Sequence, residues 1–511
     1  MGTHSTATGT SPFDTSGIEL GADGIRRYVN LSQNVVRVLA EQAQRHGDRT
    51  AIVELGGGRL TYAQLWERAR RVAGGLRDAG VTTGDRVAVQ LPNGVDWVLA
   101  FWGAQLAGAV VVPMNTRLAP AEADFILADC GAAHVVRPGE PLPDGGPGEV
   151  PDPQHTDVAA LFYTSGTTGR PKGAMTTHEN FLSNIESVIR CRELSRDPDA
   201  AHATLISVPL FHVTGCNSQF LTQIALGGLS VLMPRFDAEA FLTAIPEHGI
   251  TLITSVPTIY ELVLRHPDLG ATDLSTVRTL SYGGAPIAPE LVHRLRTAFP
   301  NARLGNGFGL SETSALATFL PHEYAETHAD AVGFPTPVDD VDLHRPDPVT
   351  GVGELLVRGP NVVAGYWGDP ARTAETFQNS WLHTGDLATI TDGIVRIVDR
   401  AKDMINRGGE NVYSVEVENA LAEHPDVLEV AVVGVPDPVM GEKVGAVVLP
   451  KPGTDTARLV ADLSAFARER LADFKRPQFV RVIDGPLPRN AGGKVLKAPL
   501  REAEGWVAVP R

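Results

Sequence analysis

Through the first 340 residues of this 511-residue chain, short runs rich in β-branched residues alternate with amphipathic helical patterns. Candidate strands fall at 86–90, 109–112, 159–163, 204–208, 230–233, 252–255 and 279–281. A helical pattern with apolar positions near 3.6-residue spacing covers 62–79. Strands that alternate with helices pair in parallel, and the helices then cover both faces of the sheet. The expected fold is therefore α/β. Past residue 351 the texture changes to strand pairs and turns, at 353–358 and 393–399, which read as a small β-rich subdomain over 351–399. A helix at 415–424, strands at 427–433, 444–448 and 479–483, and a further helix form a last block of about 110 residues, a normal size for a domain. The expected organisation is a large N-terminal domain over 25–401, with αβα layers plus the β-rich subdomain, and a small α+β C-terminal domain over 402–511.

Residues 1–24 are Ser/Thr/Gly-rich, lack the apolar core of a secretory signal and read as a disordered tail. The stretch 97–114 carries 18 residues without a charge, but Gly103, Gln105 and Gly108 interrupt it. A buried helix running into a buried strand fits it better than a membrane span, so no stable membrane insertion is expected. A net charge of −16 argues against nucleic acid as a partner. Three scattered cysteines, Cys130, Cys191 and Cys216, suit neither a disulfide framework nor a metal knuckle and point to a cytoplasmic setting.

Lysine is scarce, and Lys172 is the only one before Lys402. It ends the run Tyr163-Thr164-Ser165-Gly166-Thr167-Thr168-Gly169-Arg170-Pro171-Lys172-Gly173. Hydroxyls at 165, 167 and 168, glycines that let the backbone turn its amides outward, and one compact ammonium are the groups that a loop meeting phosphate needs, though most Gly/Ser/Thr loops are plain turns. It is not a Walker A loop, because the GxxxxGK[ST] order is absent.

The run resembles the phosphate-binding motif of the adenylate-forming superfamily: acyl- and aryl-CoA synthetases, peptide-synthetase adenylation domains and firefly luciferase. Further motifs match in order from about residue 35 to 500. Pro209-Leu210-Phe211-His212-Val213 resembles the motif whose histidine flanks the acyl pocket. Tyr282-Gly283-Gly284-Ala285-Pro286 resembles the loop that cradles adenine. Asn306-Gly307-Phe308-Gly309-Leu310-Ser311-Glu312-Thr313 resembles the motif in which an aromatic stacks on adenine and a glutamate binds Mg²⁺. Phe308 replaces the commoner tyrosine, and Ser311 the usual threonine.

By the same resemblance, Thr164 shares Mg²⁺ with Glu312, Asp386 in Trp381-Leu382-His383-Thr384-Gly385-Asp386 accepts the ribose hydroxyls, and Arg400 contacts ribose. Lys402 stands at the hinge between the two domains. Gly408-Gly409 belongs to the loop that serves the second half-reaction. Lys494, in 487–497, bridges carboxylate and phosphate oxygens during adenylation, while Lys497 reads as a solvated helix charge.

The resemblance implies an AMP-forming ligase that uses ATP, Mg²⁺ and coenzyme A, with a mobile small domain. The acid is assigned from Val213, Gly215, Cys216, Tyr282 and Gly307, which are mostly small or apolar, as a bulky hydrophobic or aromatic monocarboxylate. Two alternatives stay open, loading of a carrier protein and a ligase efficient only in thioesterification; the intact Lys172, Glu312, Asp386, Arg400 and Lys494 argue against a catalytically silent binding protein. The oligomeric state, a homodimer included, is open too.

Overall fold

The computed structural model describes residues 11–164, 170–197, 199–489 and 495–509. The chain divides into two compact units. The larger comprises Met1–Asp342, Leu356–His383 and Asp392–Val395; the smaller comprises Leu343–Leu355, Thr384–Thr391 and Arg396–Arg511. Parts of the β-rich stretch thus group with the C-terminal residues.

Two sheets carry the larger unit. One has nine strands, and its interior strands Leu229–Leu232, Ala203–Ile206, Leu252–Ser255, Thr279–Gly283 and Arg303–Phe308 run parallel. Antiparallel strands Arg59–Thr61, Thr318–Leu320 and Phe334–Pro335 finish its edges. The other has five strands in the order Ala132–Val136, Arg86–Val89, Val110–Pro113, Val158–Thr164, Lys172–Thr177. Only its last pair is antiparallel, and that hairpin brackets the phosphate-loop motif.

Helix Tyr62–Asp78 begins at a capping box, in which Thr61 Oγ1 accepts from the Gln64 amide and Gln64 Oε1 accepts from the Thr61 amide. Its buried face holds Leu65, Ala69, Val72 and Leu76. The uncharged stretch is helix Val95–Ala107 followed by the buried strand Val110–Pro113. That helix is buried nearly all round, and at Gly103 a Cβ would lie 2.3 Å from Val72 Cγ1, so glycine lets the two helices approach. Among the described residues no helix is long and apolar enough to cross a membrane.

Part of the expected tail is ordered. Residues 11–24 are held down: Phe13 is buried near Phe319, Arg190 donates to the Asp14 and Ser16 carbonyls, and Ile18–Leu20 pairs with Arg26–Tyr28. One aromatic side chain and one distant guanidinium order a segment whose composition alone looks disordered.

In the smaller unit, Gly441–Pro450 is the central strand, flanked by Val427–Asp437 and Phe479–Val482. Helices Ser414–Ala422 and Thr456–Arg470 contribute Val417, Leu421, Leu459 and Leu463 to its core. The result is a small α+β domain.

Candidate active site

In the larger unit, Thr164 and Lys172 face each other across the Val158–Thr164/Lys172–Thr177 hairpin. Ser165, Gly166, Thr167, Thr168 and Gly169 lie outside the described residues. The Lys172 ammonium sits 4.8 Å from the centre of the Tyr366 ring and has no carboxylate partner among the described residues. Glu312 occupies the 3-10 turn Ser311–Thr313, and the Tyr366 hydroxyl donates to its Oε1 at 2.7 Å.

The backbone fixes this meeting. The Val363 amide donates to the Glu312 carbonyl at 2.9 Å, the Met175 amide to the Gly365 carbonyl at 2.9 Å, and the Trp367 amide to the Gly173 carbonyl at 2.8 Å. Lys172 and Glu312 are therefore joined through a residue that the sequence reading does not single out. Its only local signal is an aromatic pair between glycines, Gly365-Tyr366-Trp367-Gly368.

The adenine-loop motifs occupy neighbouring parallel strands in which Gly283 pairs with Gly307. A Cβ on Gly283 would lie 2.2 Å from the Gly307 carbonyl oxygen, and one on Gly309 would lie 1.4 Å from that of Ala315. These glycines are demanded by strand and turn packing, independently of any ring laid over them. Gly284, at φ +76°, takes a left-handed conformation that glycine adopts freely, and Ala285 and Pro286 follow it at the surface rim. Asn306 uses its amide to bond the Ala331 carbonyl at 2.9 Å, whereas Phe308 is only half-buried at the strand end.

His212 is half-buried, and its Nε2 is buried without a hydrogen-bond partner among the described residues. Burial pulls its pKa down to about 4, so the imidazole is neutral at pH 7. After it come a short helical turn and the π-helix Cys216–Leu221. Val213 and Cys216 share an apolar cluster with Trp97, Phe101, Trp102 and Phe220, while Tyr282 belongs to a second cluster. A Cβ on Gly215 would lie 2.4 Å from the Pro209 carbonyl oxygen, so Gly215 is a packing glycine. Asn217 donates to the carbonyl and hydroxyl of Ser314, which ties the π-helix to the turn after Glu312.

In the smaller unit, Arg400 Nε lies 3.1 Å from Asp386 Oδ1. The Ala401 amide donates to the Gly385 carbonyl and the Asp386 amide to Thr384 Oγ1, which holds the buried aspartate in place. Lys402 is exposed, and its carbonyl accepts from Arg501 at 2.7 Å. Gly408 and Gly409, at φ +63° and +94°, form a two-residue hairpin turn between Ile405–Arg407 and Glu410–Val412, which requires left-handed backbone at both positions. Lys494 lies outside the described residues.

Lys497 departs from its expected solvated state. It is mostly buried, 2.7 Å from Glu418 and 2.5 Å from Ser414 Oγ, and that hydroxyl donates to Asp399. Burial raises the pKa values of both Asp399 and Glu418, and the Lys497 charge opposes the rise.

The sequence model of the AMP-binding enzyme family matches residues 39–144 and 137–367, and that of the AMP-binding enzyme C-terminal domain matches 416–494. Feruloyl-CoA synthase of Amycolatopsis sp is 39% identical over 487 residues, covering 90% of this chain and 97% of its own. A long-chain-fatty-acid–CoA ligase of Bacillus subtilis is 32% identical over 539 residues, covering 91% and 94% respectively. Among solved structures, o-succinylbenzoate CoA synthetase of Bacillus subtilis with its acyl-adenylate intermediate matches at a TM-score of 0.82 and 29% identity, over 93% of this chain and 99% of that one. The same synthetase is also known in complex with ATP and magnesium ion. Two family models that together span most of the chain, and relatives matched along nearly their whole length, show that it belongs to the AMP-binding enzyme family.

Proposed function

We propose that this protein is an AMP-forming acid–thiol ligase that activates a hydrophobic or aromatic monocarboxylic acid with ATP and transfers the acyl group to coenzyme A. The observation that carries this reading is the near full-length similarity to feruloyl-CoA synthase. The pairing of Lys172 and Glu312 around Tyr366 supports it.

Adenylation brings a carboxylate to a polyphosphate, so neutralising negative charge is the main catalytic demand. Lys172, uncommitted to any described carboxylate, meets phosphate oxygens together with the loop 164–169. Among the described residues no three His, Cys, Asp or Glu side chains gather as a metal cage. Glu312, with one carboxylate oxygen held by Tyr366, and Thr164 fit a Mg²⁺ that keeps most of its ligands from phosphate and water. Bound there, Mg²⁺ supplies charge neutralisation to the phosphates.

Phe308 offers a face for adenine. Asp386 and Arg400 serve ribose, Lys494 the carboxylate, and the Lys402 region and Gly408-Gly409 the change to thioesterification. Neutral His212 borders the acyl pocket without adding charge beside the acid. Val213, Cys216 and Tyr282 carry no cation to pair a second carboxylate, which suits an apolar acyl group.

The test is incubation with ATP, Mg²⁺ and CoA and a panel of ferulate, long-chain fatty acids and small dicarboxylates. Pyrophosphate and thioester are followed separately, and the assay is repeated from a synthetic acyl-adenylate. Both products with ferulate or a fatty acid are expected. Preference for a dicarboxylate would overturn the acid assignment, and thioester from the adenylate alone would overturn a complete ligase. Adenylation without transfer to CoA would indicate a carrier-protein acceptor.

A further inference from the structure

The chain contains a side chain that touches both catalytic charges of the larger unit and that no motif assignment includes. Tyr366 is buried, its hydroxyl bonds Glu312 Oε1 at 2.7 Å, and its ring face lies under Lys172 Nζ at 4.8 Å. An ionised carboxylate only accepts, so the phenolic O–H is the donor of this bond. No other hydrogen bond reaches the Glu312 carboxylate among the described residues.

Two consequences follow from simple electrostatics. A donor fixed on one carboxylate oxygen orients the group and leaves the other oxygen for a cation. An aromatic face holds an ammonium near 5 Å without neutralising it, as an aspartate or glutamate would. The strand-like pairing of 363–367 with Met175, Gly173 and Glu312 makes the phenol a rigid part of the wall.

We infer that Tyr366 is a positioning residue for Mg²⁺·ATP, which presents one Glu312 oxygen to the cation and parks Lys172 until phosphate replaces the ring. This rests on the ligase reading above.

The test compares Tyr366→Phe, which deletes only the hydroxyl, with wild type. Isothermal titration of ATP at varied Mg²⁺ should show binding weakened about 10-fold, or about 1.4 kcal/mol, with the half-saturating Mg²⁺ concentration raised to match. Thioester formation from a synthetic acyl-adenylate should stay within about two-fold of wild type. In a Glu312→Gln background the same change should add little, because the partner is already altered. Tyr366→Met, which fills the same buried space without ring or hydroxyl, should shift Mg²⁺ dependence in the same direction by at least as much, and serves if Tyr366→Phe folds poorly. Unchanged Mg²⁺ dependence in both variants overturns the inference while leaving the ligase reading intact. A wild-type protein that neither binds Mg²⁺·ATP nor releases pyrophosphate with any acid overturns the ligase reading itself.

Discussion

Two buried or half-buried lysines show how differently the units of this molecule use positive charge. In the larger unit, Lys172 rests on an aromatic face and Glu312 gives one oxygen to a neutral phenol, so neither charge is cancelled by the other. In the smaller unit, Lys497 is locked between Glu418 and Ser414, and Ser414 in turn holds Asp399. The first arrangement keeps charge available to an incoming ligand. The second uses it up to fasten the segment after Lys494 to helix Ser414–Ala422 and, through Ser414, to Asp399. Three more lysines follow the second pattern, with Lys443 on Asp437, Lys475 on Glu416 and Lys451 on the Pro425 carbonyl. Among the described lysines only Lys172 and Lys402 lack a carboxylate or carbonyl partner.

That contrast can be broken most forcefully at its active end. Lys172→Ala and Glu312→Gln should each lower adenylation by about 10³-fold, roughly 4 kcal/mol of transition-state stabilisation, with little change in thermal midpoint. Pyrophosphate release and calorimetry check the two halves of that statement. Lys497→Met should do the reverse. Removing one partner of a buried ion pair should destabilise the smaller unit by about 3 kcal/mol, read as a lowered unfolding transition in calorimetry. If it unfolds like wild type, the network is not structural.

The pH dependence sharpens the comparison at a third group. His212 has its pKa lowered to about 4 by burial, against roughly 6.5 when unfolded. Between these values the unfolded chain binds a proton that the folded chain refuses, so stability falls as pH drops from about 6.5 toward 4, by up to about 1.4 kcal/mol per unit. Denaturant midpoints at pH 7, 6 and 5 should show a shallower fall for His212→Asn. The smallest effect is expected from Phe308→Tyr. A half-exposed ring keeps its stacking face and gains only a hydroxyl, so ATP affinity should change by less than about two-fold.

Much of this could be read from the chain. The run 252–255 is a strand with the expected bounds, and 86–90 and 204–208 are off by a residue or two, because β-branched runs between helices have few other homes. The edge strands Thr318–Leu320 and Phe334–Pro335 are too short to show a pattern. Tyr366 was invisible because its importance comes from backbone pairing with a hairpin distant in sequence. Lys497 looked solvated because its partners, Ser414 and Glu418, are likewise far off in the chain. Gly283 and Gly309 were legible as necessary, but for a different reason: what they accommodate is neighbouring backbone.

The π-helix Cys216–Leu221 has one further consequence. A π-turn holds one residue more than the α-turn it replaces, and each residue of an α-helix advances by about 100°. Deleting a single residue within it would let Val213–Ala225 close into a continuous α-helix with both flanks keeping their present faces, because the bulge already absorbs the extra residue. Segments of this kind tolerate length change where a strand or a packed α-helix would not. Here one codon lost changes only the side chains of the π-turn beside Ser314 and leaves the flanking helical turns in place.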